Sequence, residues 1–363
     1  MPLIVDAHCD LAWNMINYGR DYTRSAAETR ELEKGSIVPE RNGDSLIGWP
    51  DYRRGQVAVV FPTLFAPPAR HKEGEWDKLV YANTEQAHRL YRQQMDLYRE
   101  LADSKPDHFR LICNTHELRD HLVEWHVPAG REPPVGFVVL MEGADAIRGI
   151  EDLAEWFDLG LRLIGLAWGA TRYSGGTREP GPLTDDGRRL LRAMADFNFT
   201  LDLSHMDQES ALEALDLYPG PIVGTHVNCL ALLPNFPNNR HFADRVLRGI
   251  IERDGVIGNI PLNSFLKTGW NRRAGSRREE VPLEVLVDHI DHVCQIAGDS
   301  RHAGIGSDFD GGFGVQSVPP EIDTIADLQK IEPLLRGRGY SEEDAANILG
   351  LNWLSFLERN LPS

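Results

Sequence analysis

The sequence predicts an α/β protein, a (β/α)8 barrel with a metal site at the C-terminal ends of its strands. Three observations point there. Eight short β-branched runs recur along the chain, helical patterns fill the intervals, and residues able to ligate a metal stand where several runs stop. An open, doubly wound sheet is the structural competitor on pattern alone.

The runs are Leu3–Ala7, Val57–Phe65, Val135–Met141, Leu161–Leu166, Thr200–Leu203, Pro221–Thr225, Val256–Pro261 and Ala303–Ser307. Several are apolar nearly throughout, as expected of parallel strands buried on both faces. Thr84–Asp103 reads as a helix. Thr184 caps the next, with DDGRRLLRAMADF behind it, and Asp207–Leu217, His241–Arg253 and Pro282–Ile296 continue the rhythm. Residues 1–363 read as a single barrel domain. Two insertions, at about 19–51 and 66–79, are polar and rich in Gly, Pro and Arg. On a barrel they either wall the mouth, where βα loops gather, or form plain surface loops.

Composition narrows the function classes. The formal charge is −17, which argues against nucleic acid or an anionic membrane as a partner. The N-terminal MPLIVDAHCD lacks a basic segment leading into an apolar core. No window approaches the roughly 20 apolar residues of a membrane span. The C-terminal LERNLPS has no hydrophobic tail of the kind a lipid-anchor signal needs. The expectation is a cytoplasmic protein whose four dispersed cysteines, Cys9, Cys113, Cys229 and Cys294, stay reduced.

The first strand ends in His8-Cys9-Asp10. Residues two apart on an extended chain point the same way, so His8 and Asp10 can grip one cation together. The third run ends at Glu142, the fifth at His205, the sixth at His226, and the eighth at Asp308-Phe309-Asp310. In a barrel these ends converge on one cavity. Imidazole and carboxylate together suit zinc better than calcium or magnesium. Three histidines and two acids hold two ions if one carboxylate bridges, and Glu142 is the candidate bridge. A bridging lysine is disfavoured, because none of the six lysines lies directly at a strand end. The other histidines, His71 among them, read as structural or solvent-facing, with His241 set apart by its neighbour Arg240.

The segments VDAHCDL, LMEGADAI, LDLSHM, GTHVNCL and IGSDFDG, in this order and spacing, resemble the membrane dipeptidase (renal dipeptidase) family of the amidohydrolase superfamily. The likeness runs from about Leu3 to Trp353. It implies a (β/α)8 barrel with two zinc ions per chain that hydrolyses dipeptides, with a D-residue accepted at the C-terminal position. On that resemblance His8 and Asp10 bind the first zinc, Glu142 bridges, and His205 and His226 bind the second. Asp308 matches the catalytic aspartate, with Asp310 read as a structural acid. Arg240 matches the arginine that binds the substrate's C-terminal carboxylate. A homodimer is favoured by the same precedent.

One departure stands out. Animal members carry a histidine after the fourth strand that contacts the substrate. Here the stretch runs from Gly165 to Tyr173, and Trp168 or a neighbour takes that place. Trp168 is therefore read as a substrate contact, with Arg172 a weak candidate for the lost polar role. The implied mechanism is attack by a hydroxide shared between the metals, with Asp308 relaying the proton to the leaving amine. An amidase, lactonase or deaminase on the same metal core is the alternative. A non-catalytic scaffold is disfavoured, since all five ligand candidates are present.

Overall fold

The computed structural model describes residues 1–126 and 132–363. Eight parallel strands make the barrel: β1 (Ile4–Cys9), β2 (Val57–Leu64), β3 (Val139–Glu142), β4 (Leu161–Gly165), β5 (Thr200–Asp202), β6 (Ile222–Val223), β7 (Ile257–Asn259) and β8 (Ala303–Ile305). Hydrogen bonding runs β6-β5-β4-β3-β2-β1-β8-β7. Gly224 pairs in parallel with Ile257 and closes the ring between β6 and β7. All of β1 and all of β2 are buried. That explains their continuous apolar character, because a barrel strand is covered by the interior on one side and by helices on the other.

Four of the expected helices, Thr84–Ser104, Asp185–Asp196, Gln208–Leu217 and Glu284–Ala297, fall where the periodicity places them, and the caps of the first three say why they start there. Asn83 accepts from the Gln86 amide at the head of Thr84–Ser104. Thr184 accepts from the Gly187 amide before Asp185–Asp196. Asp207 accepts from the Glu209 amide before Gln208–Leu217. The C-terminal helix Asn352–Asn360 packs on the barrel: the Trp353 ring meets Phe61 edge-on at 5.4 Å and its indole nitrogen donates to the Ile305 carbonyl at 3.1 Å.

Three expectations change. The run Val135–Met141 is two strands, not one. Val135–Phe137 pairs with the short strand Phe109–Leu111, and after a break at Val138 the chain enters the barrel as β3. The expected helix His241–Arg253 begins only at Asp244, which leaves His241 in the loop. An antiparallel hairpin, Ser174–Gly176 with Glu179–Leu183, adds a third excursion after β4 that periodicity did not reveal.

The first insertion is ordered by one buried acid. The Asp310 carboxylate accepts from Arg20 Nη1 at 2.7 Å, Tyr22 Oη at 2.9 Å, Ser45 Oγ at 2.8 Å and the Leu46 amide at 2.9 Å. Asp310 is therefore the structural acid that the sequence suggested. The four cysteines are free. No helix among the described residues is long and apolar enough to cross a membrane.

Candidate metal centre and substrate cavity

The C-terminal strand ends converge as a barrel requires. Glu142 Oε1 lies 3.0 Å from His205 Nε2, 3.3 Å from His226 Nε2 and 3.7 Å from His8 Nε2. His8 Nε2 also lies 3.7 Å from Asp308 Oδ1. Three overlapping groups could each hold a cation: His8 with Asp10 and Glu142, Glu142 with His205 and His226, and His8 with His226 and Asp308. All five sequence-predicted ligands belong to these groups, and Glu142 is common to two of them.

Hydrogen bonds behind the imidazoles fix which nitrogen faces inward. Thr225 Oγ1 donates to Asp202 Oδ2 at 2.5 Å, so its one proton is spent. At 2.9 Å it must then accept from His226 Nδ1, leaving Nε2 with a lone pair toward the centre. Thr177 Oγ1 stands 3.0 Å from His205 Nδ1 and supports the same tautomer. The two inward nitrogens, His205 Nε2 and His226 Nε2, are 2.9 Å apart. Two lone pairs facing at that distance repel, and a shared positive charge is what reconciles them. His8 is wholly buried, and neither of its ring nitrogens has a protein partner. A donor set of this kind fits a divalent metal.

Charge in the pocket tells the same story. Burial holds His8, His205 and His226 well below the usual imidazole range, so they stay neutral as ligation needs. Burial raises Asp10 to about 7, with Asp310 adding to the rise. Glu142 and Asp308 are driven well above the carboxylate range by burial and then by Asp10. Crowded buried acids of this sort ionise readily only beside a cation.

Backbone strain sits at the same place. His205, Asp308 and Asp310 take left-handed φ values of +67°, +58° and +62°, a costly conformation for residues with side chains. The Asp308 amide donates to the His8 carbonyl at 2.9 Å, and the Asp6 carboxylate binds the Ser307 amide and hydroxyl, each at 2.6 Å. These bonds lace the end of β8 to β1. Gly311 is required beside them, since a side-chain carbon there would collide with Asp308 and Asp10.

The cluster opens into a cavity of about 280 Å³, near the small end of the range for small-molecule sites. Both predicted insertions wall it: Arg41 and Asn42 come from the first, His71, Trp76 and Asp77 from the second. Trp168 also lines it, its ring 5.2 Å from Phe65, 5.4 Å from His71 and 6.3 Å from His205. Arg240 is 1 % exposed, lines the cavity and donates Nη2 to the His226 carbonyl at 2.7 Å, while its Nε and Nη1 have no partner. A buried guanidinium with open donors is suited to a carboxylate.

Sequence reasoning misplaced some residues and missed others. His71, expected to be structural or solvent-facing, is half-buried and also lines the cavity; its Nε2 lies 3.1 Å from Glu179 Oε1. Arg172 does not line the cavity. It lies over the Tyr173 ring at 4.7 Å, and Arg178 reaches the cavity instead. His241 is buried edge-on against Phe236 and Phe265, as a structural histidine would be. Asp6 and Asp202 were overlooked, although Asp6 continues the two-residue spacing of His8 and Asp10. Thr63, which hydrogen-bonds Asp10, gave no signal in the sequence.

Comparison with known proteins identifies the group. The membrane dipeptidase family (peptidase family M19) matches residues 1–360. The chain belongs to that family. Among solved structures, a dipeptidase described as an M19 metallopeptidase superimposes with a TM-score of 0.78 at 25 % identity, over 100 % of this chain and 99 % of the other. A metallopeptidase from Rhodobacter sphaeroides, solved with a phosphinate mimic of the dipeptide L-Ala-D-Ala, gives a TM-score of 0.78 and 25 % identity over 99 % of each chain. Dipeptidase verJ of Clonostachys rogersoniana is 27 % identical over 312 residues, which is 84 % of this chain and 73 % of that protein. The M19 relationship therefore covers the barrel and every segment that carries a ligand candidate.

Proposed function

We propose that this M19 protein is a zinc-dependent dipeptidase that hydrolyses the peptide bond of dipeptides, accepting a D-residue at the C-terminal position. One observation carries the reading: a buried arginine with open donors shares one small cavity with the histidine–carboxylate cluster. The first feature suits a free carboxylate, and the second suits hydrolysis a short distance away. The dipeptide mimic held by the R. sphaeroides relative supports the C-terminal stereochemistry.

In this reading His8 and Asp10 would hold one zinc, His205 and His226 would hold the other, and Glu142 would serve both. Metal bound there would supply a Lewis acid and a water of lowered pKa. Asp308 does the proton work. It takes a proton from the attacking water and delivers it to the leaving amine, so its elevated proton affinity is an asset at the second step. Arg240 fixes the C-terminal carboxylate and sets how far the substrate reaches, which favours dipeptides over longer chains. Trp168 packs against the substrate as an apolar wall in place of a hydrogen-bonding histidine. Residues 1–363 act as one catalytic domain, since β1 and β8 are tied together at the site and the C-terminal helix packs back on both.

A library of dipeptides with either stereoisomer at the second position, assayed on zinc-loaded protein, tests the reading. Cleavage of L,L and L,D dipeptides is expected, with about two zinc ions per chain. Hydrolysis of lactones or amidines with no dipeptide cleaved would overturn it in favour of another amidohydrolase activity.

A further inference from the structure

We propose that the cavity contains a subsite for a cationic side chain on the N-terminal residue of the substrate, formed by Trp13, Tyr18, Trp76 and the Asp77 carboxylate. The proposal rests on the dipeptidase reading for the rest of the substrate.

Trp13 and Tyr18 lie on the helix Ala12–Tyr18 that follows the first two ligand candidates, and Trp76 and Asp77 come from the insertion after β2. The three rings form a cluster: Trp13 to Tyr18 is 5.6 Å, Trp13 to Trp76 is 6.0 Å and Tyr18 to Trp76 is 5.6 Å. Trp13, Trp76 and Asp77 line the cavity. Asp77 is 5 % exposed, yet its Oδ1 has no hydrogen-bond partner, and it makes no ion pair among the described residues. The Tyr18 hydroxyl, which can accept from a cationic donor, is likewise buried without a partner, while the Trp13 and Trp76 indole N–H groups only donate, so those rings serve a cation through their faces.

A buried carboxylate oxygen without a partner is costly, and a cluster that leaves it so is arranged for something that arrives later. Carboxylate beside aromatic faces is a cation's environment. Glu73 lines the same wall and adds negative charge at Asp77. The nearby cations each have an acid beside them: Lys72, which acts on Asp77, pairs with Glu75 at 3.0 Å; Arg20, which acts on Tyr18, pairs with Glu33 and Asp310; and Arg41, which also acts on Tyr18, lies 3.6 Å from Glu40.

Position on the barrel assigns the cation to the N-terminal residue. Asp77 follows β2 and Arg240 follows β6, four strands apart in a ring of eight and so on opposite sides of the mouth. A dipeptide with its carboxylate at Arg240 and its peptide bond at the metal cluster extends its first side chain toward β2. The α-ammonium is two bonds from the scissile carbon and must stay beside that cluster. Asp77 lies outside all three ligand groups, so a longer side chain is what reaches it.

The test compares two near-isosteric dipeptides, L-Arg-L-Ala and L-citrullinyl-L-Ala, which differ in the charge of the first side chain. Wild type is expected to favour the arginine peptide in kcat/KM by about tenfold or more. Asp77→Asn should bring that ratio close to one, and Trp76→Leu should lower it in the same direction. Equal kcat/KM for the two peptides in wild type, or a ratio unmoved by Asp77→Asn, overturns the subsite while leaving the dipeptidase reading intact. If neither these peptides nor any dipeptide of the stereoisomer library is cleaved, the dipeptidase reading fails. The Kd values of the two peptides for wild type, followed by tryptophan fluorescence, then decide the subsite alone: tighter binding of the arginine peptide supports it, and equal binding refutes it.

Discussion

Replacing Arg240 with alanine removes the proposed carboxylate anchor, and the structure allows the loss to be divided in advance. Two of its nitrogens, Nε and Nη1, have no protein partner, and Nη2 already serves the His226 carbonyl. Nη2 has a second hydrogen, so a substrate carboxylate can take a fork of Nη2 with one of the open nitrogens, two charge-assisted hydrogen bonds in a fully buried setting, each worth roughly 1.5–3 kcal/mol. Losing both costs about 3–6 kcal/mol, a drop in kcat/KM of roughly a hundredfold to ten-thousandfold. Loss of the bond to the His226 carbonyl is a separate effect of about 1 kcal/mol, and it falls equally on every substrate. The assay is kcat/KM for a dipeptide and for its C-terminal amide, which keeps the shape and lacks the charge. The dipeptide should lose the full factor, mainly through KM, and the amide less than about tenfold. Arg240→Lys should fall between, since lysine restores the charge without the fork. An equal loss on acid and amide would refute the anchor and reduce Arg240 to a support of the His226 loop.

Three further outcomes are expected. Asp308→Asn should keep its metal content by elemental analysis yet lose at least about a hundredfold in kcat, and near-normal turnover would remove Asp308 from the proton relay. Thr225→Val strands His226 Nδ1 and one Asp202 oxygen, so zinc affinity measured by competition with a chelator should weaken by about 10–100-fold, and an unchanged affinity would show that the tautomer needs no such support. The third outcome concerns pH. Asp6 is raised to about 6 and Asp10 to about 7, both first by burial. Acids whose folded pKa is raised stabilise the fold below the unfolded value, and that stability is lost as pH rises through the folded value. The Asp6 contribution should therefore fall by about 3 kcal/mol between about pH 4 and 6, while the buried neutral histidines His8, His205 and His226 add stability over the same range, so the Asp6 share is read as the difference between metal-free wild type and Asp6→Asn. A wild-type advantage over Asp6→Asn that grows with pH across this window would contradict the assignment.

Strand-borne features were legible in the sequence because a strand obeys a simple rule. His8, Glu142, His205 and His226 each stand at or just past the end of an apolar run, and barrel closure brings them together with no further information. What surrounds them depends on contacts that no local pattern encodes. Thr63, Thr177 and Thr225 are ordinary threonines until folding sets each against a ligand candidate. The hairpin after β4, which carries Thr177 and Arg178, lacks the length and periodicity that would announce it. The second insertion was visible as an interruption, but nothing in it showed that Trp76 would meet Trp13 across 63 positions of chain.

The pair Asp308 and Asp310 shows where the strand rule itself stops. The two-residue spacing that places His8 and Asp10 in one ligand group would place these two acids on one side as well. They part company because β8 ends at Ile305 and both take left-handed φ values, where alternation no longer holds. Asp308 faces the cavity and His8, while Asp310 turns away to bind Arg20, Tyr22, Ser45 and the Leu46 amide. One strained turn thus does two jobs: it presents a proton carrier to the substrate, and it fastens the insertion whose Arg41 and Asn42 wall the cavity. Strain at that turn is held by Asp6 through Ser307 and by the His8 carbonyl through the Asp308 amide, which couples the loop after β8 to the strand that carries His8 and Asp10. Loss of the Asp6 contacts should therefore be felt at both the proton carrier and the metal ligands, even though Asp6 touches neither a substrate nor a metal.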